Sequence, residues 1–419
     1  MNAPSPRGRH LVTADRGFAV GGGLVARVLA PGARRALDRI DRGLAAGAID
    51  VKLPDGSRRL LGGRGAGPIA VVDLRSWRAL VRLFVSGSVG WYRAWAEGEW
   101  ASPDPVALFH LFVLNRQGLG QAGRAKGAGR LFNRAARAVR RNTRAGARRH
   151  IAAHYDLGND FYAAWLDQTM TYSSAVFADP ADPGEDLGIA QKRKNRLLLD
   201  RLALKPGDRL LEIGCGWGEL ARTAAADHCA QVTGLTLSAE QKALAEQRTA
   251  GLPVTIDLRD YRDACGPVDA VVSVEMVEAV GEDYWRTYLE TIARVLKPGG
   301  RAAIQYICID PAIWPRYAGN ADFIQTYIFP GGLLIHEPRF RALAEAAGLR
   351  WEDRSGYGLH YAETLRRWRL SFDQAVAEDR LPPGFDARFD DLWRYYLMYC
   401  EGGFRGGGID VAQVTLVRT

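Results

Sequence analysis

The run with the clearest chemical character is EIGCGWG, from Glu212 to Gly218, which follows an apolar segment and precedes a helix-like one. The alternating glycines Gly214, Gly216 and Gly218 permit positive φ angles and let a ligand lie against the backbone. Glu212, just before the first glycine, is well placed to hold the ammonium of an amino-acid moiety. A glycine triplet alone is weak evidence, because dinucleotide-binding loops and simple tight turns look alike.

Further features narrow the choice of ligand. The glycine spacing is GxGxG and not GxGxxG, and the tripeptide RDY follows a third strand-like segment. Together these features resemble the class I S-adenosylmethionine methyltransferases. The resemblance implies that the three glycines pass under S-adenosylmethionine and that Gln241 of TLSAEQ reaches the ribose. It also implies that Asp260 and Tyr261 flank the adenine and that Thr236 belongs to the same cofactor site.

A narrower resemblance comes from motifs outside the glycine loop. They occur in the order and approximate spacing of the cyclopropane-fatty-acyl-phospholipid synthase family, which includes the mycolic-acid cyclopropane synthases. The likeness covers residues 150–419, and residues 45–115 resemble the smaller N-terminal domain of the bacterial full-length enzymes. The five motifs are HYDLGNDFYAAWLDQTMTYSSAVF, SVEMVEAVG, FIQTYIFPGG, GLHYAETLRRW and YLMYCEGGFRGGGIDVAQVTLVR.

The implied chemistry is methyl transfer to a carbon–carbon double bond. An isolated alkene is a poor nucleophile, so the enzyme must hold it against the sulfonium methyl in a dry pocket. Methyl transfer leaves a carbocation on the acyl chain, which aromatic faces and a carboxylate can stabilise. A base then removes a proton. Loss from the new methyl closes a cyclopropane, and loss from a neighbouring carbon gives a methyl-branched alkene or a methylene group.

The resemblance implies a base site that holds bicarbonate, formed by Glu278, Tyr361 and Gln305, with Cys400 as the active-site cysteine. Each residue also has an ordinary structural interpretation. Glu278 could cap the helix that follows its strand, and Tyr361 could be a half-buried tyrosine. Cys400 could be a small core residue, the commonest role of a lone cysteine.

The motif MTYSSAVF contributes three further residues by the same resemblance. Tyr172 and Ser173 match positions that contact the cofactor at its methionine end. Ser174 stands beside the base site, where many relatives have a cysteine, and Gln305 stands where many have a histidine. Because glutamine cannot take up a proton near neutral pH, Gln305 can orient a bicarbonate but cannot replace it as the base. We expect a cyclopropane product, with a methyl-branched or methylene product as the alternative.

The elements that must position these residues alternate as strand and helix from about residue 197. This alternation predicts an α/β fold, a class I methyltransferase Rossmann-like doubly wound sheet, with a smaller N-terminal α+β domain. A Pro-Asp-Gly turn within residues 47–62 predicts a hairpin in that small domain. The expected divisions are a lead-in (1–44), the small domain (45–116), a basic linker or helix (117–150) and a catalytic domain with acyl-site insertions (151–419).

The basic segment accounts for the net charge of +9, since Arg124 to Arg149 holds ten Lys or Arg and no acid. It could be a solvated connector, an interfacial helix on anionic membrane phosphates, or a nucleic-acid footprint. No apolar run approaches the ~18–20 residues that span a bilayer, and the start lacks the apolar core of a signal peptide. We therefore expect a cytoplasmic protein, peripherally associated with the inner face of the membrane.

The cysteines show no CxxC pairing and are too widely spaced for a disulfide framework or a zinc site, so we expect free thiols and no metal. They are Cys215, Cys229, Cys265, Cys308 and Cys400.

The leading hypothesis is an enzyme that acts on unsaturated phospholipid acyl chains, does not bind nucleic acid, and could form a homodimer. A nucleic-acid methyltransferase is a weaker alternative, because no motif for placing a base is evident. A non-enzymatic S-adenosylmethionine- or lipid-binding protein is the third hypothesis, against which the intact Glu278, Tyr361 and Cys400 argue.

Overall fold

The computed structural model of the chain describes residues 7–13, 23–120, 157–319 and 322–419. Residues 121–150 of the basic segment lie outside the described residues. The chain divides into two compact units, each made of three stretches of sequence. The first unit comprises Met1–Arg140, Pro315–Pro330 and Pro383–Ile409, and the second comprises Arg141–Trp314, Gly331–Pro382 and Asp410–Thr419.

The helices and strands of the described residues are numbered here in chain order. The helices are α1 (Arg9–Val12), α2 (Gly23–Gly43), α3 (Arg78–Ala96), α4 (Pro105–Leu114), α5 (Arg116–Leu119), α6 (Asn159–Ala163), α7 (Leu187–Asp200), α8 (Glu219–His228), α9 (Ala239–Arg248), α10 (Trp285–Val295), α11 (Trp314–Tyr317), α12 (Glu337–Ala346), α13 (Gly358–Ala377) and α14 (Ala387–Arg405). The strands are β1 (Ala48–Lys52), β2 (Arg58–Gly62), β3 (Ile69–Leu74), β4 (Trp100–Ala101), β5 (Arg209–Ile213), β6 (Gln231–Thr236), β7 (Val254–Leu258), β8 (Val268–Val274), β9 (Leu296–Ile309), β10 (Leu349–Gly356) and β11 (Ile409–Arg418).

The first unit contains a four-stranded sheet in the order β2-β1-β3-β4. The hairpin predicted from the Pro-Asp-Gly turn is confirmed, because β1 and β2 pair antiparallel and the Leu53 N–H donates to the Ser57 carbonyl across the turn. Strand β3 pairs parallel with β1 and antiparallel with β4. Helix α3 bends at Gly87, whose φ is 60°.

Helix α14 in the same unit carries the glycine-rich motif YCEGGFRGG, and two of these glycines explain its packing. A Cβ atom at Gly402 would lie 2.4 Å from the Phe109 Cβ atom and 2.9 Å from the His110 nitrogen, both on α4. A Cβ atom at Gly406, one turn later, would lie 2.5 Å from the Val113 Cβ atom. The glycines therefore let the two helix backbones approach closely.

The second unit contains a seven-stranded sheet in the order β10-β11-β9-β8-β5-β6-β7. Strand β5 pairs parallel with β6 and with β8, β6 pairs parallel with β7, and β8 pairs parallel with β9, whereas β10 and β11 are antiparallel. The alternation of strands and helices predicted from about residue 197 is confirmed, and the fold is a Rossmann-like α/β fold. The chain leaves β5 towards β7 and returns to β8 on the other side of β5, so the topological switch lies between β5 and β8, where such sheets bind ligands.

An apolar core holds the central strands of the second unit against the helices that follow them. It joins Leu210 of β5, Val232 of β6 and Val272 of β8 to Leu198 of α7 and Leu220 of α8, all at most 5% exposed. The strands carry apolar residues because helices cover the sheet. This core fixes the positions of the loops at the carboxyl ends of β5 and β8.

The sequence predicts free cysteine thiols and no segment that spans a bilayer. All five cysteines fall within the described residues and each is a free thiol, as expected. In the ranges given above, no helix is both long enough and apolar enough to cross a bilayer.

We predict that Gly402→Ala lowers the free energy of unfolding by about 1–3 kcal/mol, because the added methyl group overlaps the backbone and side chains of α4. Urea unfolding of the full chain measures the change. Arg388→Ala, at an exposed position of the same helix, is the matched control and should change the stability by less than about 0.5 kcal/mol. Equal effects of the two substitutions would contradict the close packing of α14 on α4.

Candidate active site

The glycine loop leaves the carboxyl end of β5 and turns into helix α8. Its three glycines have φ angles of 84°, 52° and 86°, in the left-handed region. The Gly214 and Cys215 N–H groups donate to the carbonyl of Leu235 on β6, at 3.0 and 2.9 Å, which fixes the start of the loop. A Cβ atom at Gly216 would meet no atom within 4 Å, so the middle of the loop borders open space that a ligand could fill.

Glu212 is the last-but-one residue of β5 and is only 3% exposed. Its Oε2 atom is buried and has no hydrogen-bond partner among the described residues. Burial raises the pKa of this carboxyl to about 8, against the opposing positive charge of Lys194. A buried acceptor without a partner is costly, so the arrangement fits a ligand that brings an ammonium. The residues present therefore fit the methionine end of S-adenosylmethionine.

The residues assigned to the ribose lie at the end of the next strand. The Thr236 hydroxyl donates to the Gln241 side-chain oxygen at 2.8 Å, and the Gln241 N–H donates to the Ser238 hydroxyl, which caps α9. Thr236 and Gln241 are both buried. The bond from Thr236 fixes the orientation of the Gln241 amide at this edge of the sheet.

The residues assigned to the adenine follow β7. Asp260 caps a 3₁₀ turn, Tyr261–Asp263, and both of its carboxylate oxygens accept hydrogen bonds from the Arg262 guanidinium, at 2.8 and 2.6 Å. Tyr261 is 8% exposed, and its hydroxyl has no hydrogen-bond partner among the described residues. Burial raises its pKa, so Tyr261 is neutral at physiological pH. A neutral ring with a spare hydroxyl is suited to packing against a base.

Glu275, which follows β8, accepts hydrogen bonds from three donors. Its Oε1 atom accepts hydrogen bonds from the Ser174 N–H at 2.8 Å and from the Gln305 Nε2 atom at 2.7 Å. Its Oε2 atom accepts one from the Tyr361 hydroxyl at 2.7 Å. Three segments that are distant in sequence thus place donors on one carboxylate.

The orientation of the Gln305 amide follows from a chain of hydrogen bonds that begins at an arginine. Arg201 can only donate, so the Gln413 side chain turns its oxygen to the Arg201 Nε atom, at 3.3 Å. The Gln413 Nε2 atom then donates to the Gln305 oxygen at 3.0 Å. The Gln305 amide nitrogen must therefore face Glu275.

The backbone of Glu275 is strained. Its φ is 48°, a left-handed conformation that residues other than glycine seldom adopt, at a cost of order 1 kcal/mol. Burial is the largest influence on this carboxyl and raises its pKa, whereas the three donors and the positive charge of Lys194 act in the opposite direction. Strain and a shifted pKa at a strand end are typical of a functional residue.

The MTYSSAVF motif contributes to the site mainly through its backbone. The Ser174 hydroxyl donates to the carbonyl of Ala175 at 3.0 Å, whereas its backbone N–H binds Glu275 and its carbonyl accepts from Gln305 at 3.2 Å. The Ser173 hydroxyl accepts a hydrogen bond from Lys194 at 2.9 Å. The Tyr172 ring lies 5.2 Å from that of Trp368, a contact within the second unit.

The resemblance groups Glu278 with Gln305 and Tyr361 around a bicarbonate, but both of these side chains donate to Glu275. Glu278 lies in a 3₁₀ turn, Val277–Ala279, where its Oε1 atom accepts from the Ile307 N–H and its buried Oε2 atom has no partner among the described residues. Burial, and then the charge of Glu275, raises its pKa to about 8. The physical reason is register: Val274 pairs with Gln305 across β8 and β9, so the next residue, Glu275, meets the Gln305 side chain.

Cys400 lies on α14 in the first unit, and the structure leaves its assigned role a prediction. Burial, and then the charge of Asp322 in the same unit, raises the pKa of its thiol. The group is therefore a thiol and not a thiolate at physiological pH, and it cannot serve as a base there.

Two residues of the cluster, Glu275 and Lys194, are absent from the sequence interpretation. Only Glu275 had a signal in the sequence, because it directly follows the apolar strand VDAVVSV, at the end of a parallel strand where ligands bind. Lys194 had none, since it lies in the polar run QKRKNR. The resemblance instead implies Glu278, the second glutamate of EMVE.

The chain is similar to known proteins in sequence. The sequence profile of the family named mycolic acid cyclopropane synthetase matches residues 142–414. The chain is 47% identical over 285 residues to the tuberculostearic acid methyltransferase of Mycobacterium tuberculosis, a match that covers 65% of each protein. It is 39% identical over 268 residues to the cyclopropane-fatty-acyl-phospholipid synthase of Escherichia coli, covering 63% of this chain and 66% of the relative. The chain thus spans about two-thirds of the length of these curated relatives.

Solved structures agree with the fold. A cyclopropane synthase from M. tuberculosis superposes with a TM-score of 0.58 at 30% identity, covering 65% of this chain and 98% of that one. A mycolic acid cyclopropane synthase solved in complex with SAH and CTAB gives a TM-score of 0.59 at 31% identity, with the same coverage.

We predict that Glu212→Gln stabilises the ligand-free protein at pH 7 but weakens its binding of S-adenosylhomocysteine by at least about tenfold. In the unfolded chain, Glu212 is ionised above its ordinary pKa of 4.5. In the folded protein its pKa is about 8, so the carboxyl stays protonated until the pH approaches that value. The stability of the native protein therefore falls as the pH rises from about 4.5 to about 8. The substitution removes this loss, a gain of about 1–3 kcal/mol at pH 7.

Denaturant unfolding at pH 5 and pH 7 measures the gain, and calorimetry measures the binding. The gain should be much smaller at pH 5, where the two states of the wild-type carboxyl differ less in protonation. An equal gain at both pH values would mean that Glu212 is not the titrating group.

Proposed function

The chain belongs to the mycolic acid cyclopropane synthetase family, and we propose that it transfers the methyl group of S-adenosylmethionine to the double bond of an unsaturated phospholipid acyl chain. Glu275 is the base that then removes a proton from the methylated chain. The observation that carries this proposal is the Glu275 carboxylate at the end of β8, bound by the Ser174 N–H, Gln305 and Tyr361.

When bound, S-adenosylmethionine supplies an electrophilic methyl on a sulfonium. The residues that would hold it lie at the ends of β5, β6 and β7. Glu212 would take the ammonium with its unpartnered oxygen, the Gly216 backbone would border the ligand, and the Gln241 amide, fixed by Thr236, would bind the ribose. Because the double bond is a poor nucleophile, positioning by these contacts supplies much of the rate.

The proposal replaces the bicarbonate of the sequence interpretation with a carboxylate of the protein. Bicarbonate and a glutamate side chain are both planar oxyanions that accept hydrogen bonds from the same donors. The two donors expected to hold the anion, Gln305 and Tyr361, both donate to Glu275. With those donors engaged, the side chain itself performs the role of the external base, and burial raises its pKa, which makes it a stronger base than an exposed carboxylate.

The product depends on which proton Glu275 takes. Transfer of a methyl cation and loss of one proton add a net CH₂ group to the chain, whichever proton leaves. Glu275 is tethered to the protein, unlike a bicarbonate that can shift within its site. We propose loss from a chain carbon, which gives a methylene or methyl-branched alkene, and the 47% identity to the tuberculostearic acid methyltransferase supports it. A saturated branch would then require a separate hydride donor.

A cyclopropane product is the second candidate. The 39% identity to the E. coli cyclopropane-fatty-acyl-phospholipid synthase supports it. In that case, Glu275 takes its proton from the new methyl group.

We predict that Glu275→Gln lowers the rate of methyl transfer by about 10²–10⁴-fold, because an amide cannot accept the proton. Binding of S-adenosylhomocysteine should change less than about threefold, since the amide is isosteric and Glu212 is intact. Glu278→Gln is the matched comparison, because the second buried glutamate lies one turn away. A larger loss in Glu278→Gln than in Glu275→Gln would assign the base to Glu278. A wild-type rate that depends on added bicarbonate would assign it to the external anion.

We predict that expression in bacteria that lack their own cyclopropane synthase adds one CH₂ group to unsaturated phospholipid acyl chains. Mass spectrometry measures the added mass, and NMR of the isolated lipid distinguishes a methylene or branched alkene from a ring. Cells that express Glu275→Gln are the control. Unchanged unsaturated chains in cells that contain the folded wild-type protein would contradict the function, whereas ring protons would select the cyclopropane alternative.

A further inference from the structure

Lys194 is a lysine in the interior of the second unit. It lies in the middle of helix α7 and is 1% exposed. On the same face of the helix, Gln191 and Asn195 are also buried, at 0% and 1% exposure. Buried ammonium groups are rare because water solvates them far better than protein does, so each one needs a physical reason.

The ammonium of Lys194 contacts the segment that supplies a donor to Glu275. Its Nζ atom donates to the Ser173 hydroxyl at 2.9 Å. The neighbouring Gln191 side chain donates to the Ser173 carbonyl at 2.8 Å and to that of Thr171 at 3.2 Å. Helix α7 therefore holds this segment at both the backbone and the side chain, and the next residue, Ser174, binds Glu275 through its N–H.

The negative charges that act on Lys194 belong to acids on several segments of the second unit. The strongest is that of Glu275 after β8, followed by Glu212 on β5, and then by Asp167 and Glu219. None of the salt bridges between described residues, which join atoms at most 4 Å apart, includes Lys194. It therefore forms no close ion pair with one of these acids. The charge of Lys194 thus interacts with both the acid that would take the ligand ammonium and the acid that would take the proton.

Both acids lie where a shared cation can act on them. Strands β5 and β8 are adjacent and parallel, with Ile213 opposite Ser273, so Glu212 and Glu275 both lie at the carboxyl edge of the sheet. Burial leaves both carboxylates poorly solvated, and the positive charge of Lys194 opposes that effect in each of them. An apolar side chain of similar length would not.

We propose that Lys194 is a positioning residue that holds Ser173 against helix α7 and supplies positive charge to both Glu212 and Glu275. This inference rests on the proposed function, since it concerns how the ligand-binding acid and the base are kept ready. Lys194 touches neither reacting group directly. It acts through the Thr171–Ser174 segment and through its field.

The experiment measures the binding of S-adenosylhomocysteine from pH 6 to pH 9 by calorimetry, which needs no acyl substrate. Lys194→Met keeps the length and apolar stem of the side chain and removes the charge, and Lys194→Arg keeps the charge. Lys192→Met is the matched control, because it removes a lysine from an exposed position of the same helix. Circular dichroism and thermal unfolding establish that each variant is folded.

Protonated Glu212 cannot pair with the ligand ammonium, so affinity falls at low pH. Without the charge of Lys194, the pKa of Glu212 rises further, and we expect the fall to move to higher pH by about one unit. At pH 7 this is a loss of about tenfold in affinity, and the loss shrinks towards pH 9. Lys194→Arg and Lys192→Met should keep the wild-type midpoint.

The acidic limb of the pH–rate profile for methyl transfer tests the second acid. It should move upward in Lys194→Met because Glu275 loses the same charge. A loss of affinity or rate that is the same at every pH would overturn the proposal, since a purely structural role predicts no shift. A shift of equal size in Lys192→Met would also overturn it. Failure of the wild type to bind S-adenosylhomocysteine would instead refute the proposed function.

Discussion

The interaction on which the rest of the site depends is the hydrogen bonding of the Glu275 carboxylate. Its donors come from a loop before α7, from the middle of β9 and from the start of α13. A buried carboxylate with fewer donors would be protonated or would not fold into this position at all. The three segments must therefore be correctly placed before this hydrogen-bonded carboxylate exists, which ties the geometry of the site to the completion of the fold.

The sheet meets this requirement by its topology. Parallel strands bring their carboxyl ends to one edge, and the switch between β5 and β8 leaves a crevice there. Because β8 and β9 pair with Val274 opposite Gln305, the residue after β8 meets a side chain that β9 supplies. Arg201 and Gln413 then fix which end of that amide faces the acid. The geometry of the site is thus set by strand register and by the hydrogen bonds that run from Arg201 through Gln413 to Gln305.

The arrangement has a cost in stability. Glu275 has a strained backbone, and Glu212 and Glu278 each have a buried oxygen without a partner among the described residues. Burial raises the pKa of all three carboxyls, and it lowers the pKa of the Lys194 ammonium to about 8. Such groups destabilise the folded protein, as is common where a site needs polar groups in a buried position. The apolar core between the sheet and α7 and α8 offsets this cost.

The fold class, the alternation of strands and helices and the glycine loop could be predicted from the sequence, because they depend on local patterns: apolar runs, turn residues and positive-φ glycines. The family resemblance pointed to Ser174, Gln305 and Tyr361, which the structure brings together. The sequence did not distinguish Glu275 from Glu278, since both lie in the same four-residue run, EMVE, and only the pairing of β8 with β9 decides which one meets Gln305. Nor could it place Lys194, because whether a helical lysine faces water or two carboxylates depends on which face of α7 is buried against the sheet. Tertiary structure decided these points, since strand register and helix rotation are set by packing across the whole domain.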